Sequence, residues 1–130
     1  MQIFKTRWFR RFAKREGIRD RSLVEAIERA ERGLVDADLG GGLIKQRVAR
    51  AGKGRSGGFR TIIAYRAKDL AIFLSGFAKS ELDNIGPSEL QSLRKIAADW
   101  LKADRAELQE NLDEGRLEEV EDGEEDEQFG

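Results

Sequence analysis

The sequence contains no cysteine and no histidine. Without cysteine there is no disulfide framework, and nothing ties the chain to an oxidising compartment. Without histidine the usual general base and the commonest metal ligand are both missing. A zinc site of thiolates and imidazoles is excluded outright. No apolar run approaches the roughly 18 residues that signal a membrane span, and the N-terminus lacks the apolar core of a secretory signal. The expectation is a cytoplasmic chain without membrane contact, cofactor or metal. Its 130 residues suit one domain with a modest core.

Net charge is also nearly absent, at −1, but this figure hides an asymmetry. Residues 107–130 hold twelve carboxylates and one base, Arg116, which leaves 23 bases against 13 acids in residues 1–106. Such a body attracts polyanions, and such a tail repels them or folds back.

Gln2–Thr6 can start a strand. Trp8, Phe9, Phe12 and Ala13 then fall on one helical face, and Gly17 can cap the helix. Ser22 and Glu25 form a capping-box pattern. Leu23, Ile27, Ala30 and Leu34 recur at helical spacing behind it. The two helices are expected to pair as an antiparallel hairpin. Gly40, Gly41 and Gly42 end the helical pattern, and strands follow. In residues 43–50, Ile44 and Val48 lie on one face and Lys45 and Arg47 on the other. In residues 59–66, Arg60, Ile62, Ala64 and Arg66 share a face. Leu70–Phe77 is apolar on both faces and reads as central. Short loops join these three strands into an antiparallel meander. Pro87 and Ser88 open a third helix, with Ser88 and Gln91 as a second capping box.

The fold expected is therefore α+β: an N-terminal helical hairpin packed on a small antiparallel sheet, then a C-terminal helix and an acidic tail. Residues 1–112 are read as the domain and residues 113–130 as the tail, which composition marks for disorder.

Lys53, Arg55 and Arg60 surround a glycine-rich hairpin, Gly52-Lys-Gly-Arg-Ser-Gly-Gly58. Glycines let a backbone approach a phosphate closely, and arginine grips one through two parallel hydrogen bonds. Lys45 and Arg47 can share that side of the sheet with Arg60. The pattern also fits an ordinary solvated basic hairpin. It is not a Walker loop, which needs Gly-Lys-Ser/Thr leading into a helix. Arg7, Arg10, Arg11, Lys14 and Arg15 form a second basic face, suited to RNA or simply to water. Trp8, Phe9, Phe12 and Trp100 are assigned to the core. Cleavage of RNA by its own 2′-OH needs a proton acceptor and a stabiliser for growing negative charge. Clustered lysine and arginine can supply both without a metal.

Three stretches, in order, carry a likeness. They are Gly40-Gly41-Gly42-Leu43-Ile44-Lys45-Gln46-Arg47-Val48-Ala49, Gly54-Arg55-Ser56-Gly57-Gly58-Phe59-Arg60, and Phe73-Leu74-Ser75-Gly76-Phe77-Ala78-Lys79-Ser80-Glu81 with Asn84-Ile85. Together with the opening Ile-Phe-Lys-Thr-Arg-Trp-Phe they resemble the RelE/HigB toxins of type II toxin–antitoxin modules. The resemblance implies a RelE-like, microbial-RNase-like sheet and an endonuclease that cuts mRNA in the ribosomal A site. It also implies a cognate antitoxin, a helix-turn-helix protein encoded nearby. The site it implies is Lys53, Arg55, Arg60 and Lys79, with Arg60 on the scissile phosphate and Lys53 or Lys79 as base or charge stabiliser. Lys45, Arg47, Arg7, Arg10, Arg11 and Lys14 are the expected RNA contacts. The chain departs from the pattern after the last strand, where Leu82 stands in a place often basic. The alternative is a non-catalytic module of the same superfamily, a gyrase poison or a degenerate toxin acting as a regulator.

Overall fold

The computed structural model describes residues 1–50, 54–77 and 85–121, with the side chains of 50 and 54–57 outside that description. The chain order is β1 (Gln2–Thr6), α1 (Arg7–Glu16), α2 (Asp20–Glu31), β2 (Ala37–Gly40), β3 (Leu43–Arg50), β4 (Gly54–Arg66) and β5 (Leu70–Phe77). Then come α3 (Pro87–Lys102), α4 (Arg105–Asp113) and β6 (Leu117–Glu119).

Thr6 ends β1 and starts α1, its hydroxyl accepting the Phe9 amide at 3.2 Å. Gly17, at φ 71°, closes the helix in the left-handed conformation that glycine adopts without strain. Phe9 and Phe12 are buried as expected, but Trp8 is 51 % exposed and only stacks on the Phe12 ring. Neither predicted capping box forms. Asp20 begins α2 ahead of Ser22, and α3 starts at Pro87 after Gly86. The box that does form is Asp104 with Glu107, at the start of α4.

The strand order is β2-β3-β4-β5-β1-β6. β3, β4 and β5 form the antiparallel meander, but β1 lies parallel to β5, with Phe4 beside Ile72. This overturns the expected helical hairpin on a small antiparallel sheet. The sheet has six strands, is mixed, takes the first strand of the chain into its interior and is covered on both faces. Alternation along β4 and β5 explains why. Phe59, Ile63, Ala71 and Phe73 point to one core, with Phe9, Phe12, Leu23 and Ile27 of α1 and α2. Ile62, Ala64, Leu70, Ile72 and Leu74 point to a second, with Ala97 of α3 and Leu108 of α4. α1 lies over β5 and β1 while α2 lies over β3, so each helix packs on its own strands.

β6 falls within the segment read as acidic tail. Leu117 and Val120 are buried, and the Val120 amide donates to the Ile3 carbonyl at 2.8 Å. Lys5 fixes this edge. Its buried ammonium bridges Asp20 at 2.6 Å and Glu118 at 3.1 Å.

Candidate nucleic-acid interface

The positions of the basic side chains follow from the β3–β4 register. Lys45 pairs with Ile62, and Arg47 pairs directly with Arg60. Residues two apart on a strand share a face, so Lys45, Arg47 and Arg60 all lie on the α3 side of the sheet. Arg60 pairs on its other flank with Phe77 of β5. Arg47 is exposed, and Lys45 and Arg60 are half-buried. None of these three side chains makes an ion pair or hydrogen bond among the described residues. Two guanidinium groups held opposite each other, with no acid on either among the described residues, are able to hold an anion.

β3 is held in place from its other face. Gln46 sits between Ile44 and Val48 and is completely buried. Its amide nitrogen donates to the carbonyls of Ala26 at 2.9 Å and Leu34 at 3.1 Å, and its oxygen accepts the Asp36 amide at 2.9 Å. Arg29 donates to the Arg47 carbonyl, and the Asp36 carboxylate accepts the Arg47 amide at 2.6 Å. Gln46 is thus the positioning residue for Arg47, and the sequence reading passed over it. Its signal was a lone amide in an otherwise apolar alternation.

Lys53 and Lys79, expected in the site, lie outside the described residues. Arg55 is in β4, with its side chain outside the description. The expected contacts on α1 are separate from the β3–β4 group. Arg10, Arg11 and Lys14 line a cavity of about 500 Å³ with Lys5, Ile18 and Glu118. This cavity opens on the α1 face, across the sheet from Arg60. Arg7 does not line it and donates instead to the Gly115 carbonyl at 3.4 Å.

Tyr65 lies on the α1/α2 side, away from Arg60, where its hydroxyl donates to Glu31. Glu31 also accepts the Lys68 amide at 3.0 Å. The Tyr65 bond holds the Glu31 carboxyl below its usual range. Burial, followed by the Glu31 bond, pushes the Tyr65 phenol above its own.

Among the described residues no group of three or more acids converges as metal ligands. No described helix is long and apolar enough to cross a membrane.

Comparison with curated proteins gives no match. Residues 1–120 match the family of RelE toxins of RelE/RelB toxin–antitoxin systems, an extent that takes in every strand of the sheet. The chain belongs to the RelE toxin family: it is a toxin of a toxin–antitoxin system, with a cognate antitoxin as its implied partner.

Proposed function

We propose that this toxin is a ribosome-dependent mRNA endonuclease of the RelE/HigB kind, acting in the cytoplasm and silenced by a helix-turn-helix antitoxin. The observation that carries the reading is the Arg47–Arg60 pair, with Lys45 beside it and no acid on any of the three side chains among the described residues. A structural ion pair calls for an acid. Unneutralised guanidinium groups on a rigid sheet suit a phosphodiester.

The reaction follows from the RNA itself. The 2′-oxygen loses its proton and forms a bond to phosphorus, the bond from phosphorus to the 5′-oxygen breaks, and the 5′-oxygen takes a proton from water, leaving a 2′,3′-cyclic phosphate and a 5′-hydroxyl. Arg60 holds the phosphate, and Arg47 and Arg55 share the charge that grows on its oxygens. Lys53 or Lys79 takes the 2′ proton or adds to that charge stabilisation. With no histidine to relay protons, positioning and electrostatics supply the rate. Arg10, Arg11 and Lys14, on the far face, contact ribosomal RNA and orient the toxin.

The test is to add purified protein to ribosomes stalled on a defined mRNA. Cleavage in the A-site codon only when ribosomes are present supports the reading. Intact mRNA together with inhibited gyrase supercoiling gives the chain to the gyrase-poison alternative instead.

A further inference from the structure

On the α3 face the β3–β4–β5 register lays down two adjoining rows, Arg47–Arg60–Phe77 and Lys45–Ile62–Ser75. The first row is the cation pair. The second opens into a cavity of about 120 Å³ lined by Leu39, Lys45, Ile62, Ile85 and Leu90. We infer that this cavity is a nucleobase subsite: it takes the base of the nucleotide whose phosphate lies between Arg47 and Arg60. The inference rests on the proposal that RNA binds this face.

Rows two residues apart on a strand are separated by about 7 Å. One ribose links a phosphate to its base across a gap of the same order, so a phosphate on the first row delivers its base to the second. Leu39, Ile62, Ile85 and Leu90 are aliphatic, as a flat ring needs on its faces. The remaining wall, Lys45, carries three donors and no acceptor. It therefore reads the carbonyl oxygens and ring nitrogens that bases present. An apolar protein side chain would satisfy the cavity but leave Arg47 and Arg60 unanswered. A nucleotide satisfies both at once.

The test uses the full chain and two fluorescein-labelled 2′-O-methyl RNA hexamers, which cannot be cleaved by 2′ attack. One has mixed sequence, and in the other every base is replaced by hydrogen. Anisotropy titration at low salt should show wild type binding the base-bearing hexamer about tenfold more tightly than the abasic one. Leu90→Trp, which fills the cavity, should bind the two hexamers alike, and Arg60→Ala should weaken both equally. Leu39→Trp takes the place of Leu90→Trp should thermal melting show the latter unfolded. Equal affinity of wild type for the two hexamers overturns the subsite and leaves the phosphate reading standing, as does a preference for bases undiminished in the filled variant. Failure of wild type to bind either hexamer overturns both.

Discussion

Arg47 and Arg60 are direct cross-strand partners, on one face of the sheet, and neither side chain is paired with an acid among the described residues. Like charges directly opposite each other destabilise a sheet by up to about 1 kcal/mol. Arg47→Ala should therefore leave the melting temperature unchanged or slightly higher while weakening RNA binding. A melting temperature several degrees lower, with binding intact, would make Arg47 a structural residue and refute the anion-site reading.

Gln46 ties α2, the approach to β2 and β3 together through three hydrogen bonds from a fully buried amide. Gln46→Leu keeps the volume but strands the Asp36 amide and the carbonyls of Ala26 and Leu34. Leaving such groups unsatisfied costs about 1–3 kcal/mol each. Urea denaturation should show a stability loss of at least this size, and toxicity should fall with it because Arg47 loses its anchor. An unchanged denaturation midpoint would remove Gln46 from this role.

The Glu31–Tyr65 bond makes part of the stability depend on pH. Glu31 has its carboxyl pKa lowered from 4.5, so its contribution is present above that value and lost as pH falls below it. Tyr65 has its phenol pKa raised from 10.0, so its contribution is present below that value and lost as pH rises beyond it. The difference in melting temperature between wild type and Tyr65→Phe should be largest between about pH 5 and 10 and shrink on both sides. A difference constant from pH 3 to pH 9 would contradict this.

The C-terminal acids divide into two groups. Leu117–Glu119 is a strand of the sheet, locked by Lys5 to Glu118. Beyond Glu121 lie Asp122, Glu124, Glu125, Asp126 and Glu127. Truncation after Leu112 should cost the fold its β6 edge and lower the melting temperature. Truncation after Glu121 should leave the fold intact and strengthen ribosome binding at low salt, with the gain fading as salt screens the charges. Equal affinity of the full and Glu121-truncated chains at low salt would show that these acids do not compete for the basic faces.

Local patterns were legible in the sequence wherever they determine local structure. The period-two alternation of β3 and β4 placed Lys45, Arg47 and Arg60 on one face, and the aromatic spacing of α1 with Gly17 fixed that helix. Long-range pairing was not legible. β1 joins β5 in parallel across the whole meander, and a parallel pair leaves no turn between its strands to announce it. Charge concealed β6. Leu117-Glu-Glu-Val120 reads as tail by composition, and Lys5, more than a hundred residues earlier, supplies a counter-charge that seats it. Ser22 and Ser88 matched a capping pattern, yet the chain enters one helix at Asp20 and the other at Pro87, ahead of each serine.

The most direct test of the central claim is to map mRNA ends throughout the cell after brief expression of wild type and of Arg60→Ala. Wild type should produce new 5′-hydroxyl ends in frame with translated codons. Arg60→Ala should fold normally and yield about 100-fold fewer, the effect of losing about 3 kcal/mol of transition-state stabilisation. New ends equally abundant with both proteins, or absent with a wild type that still arrests growth, would contradict the account.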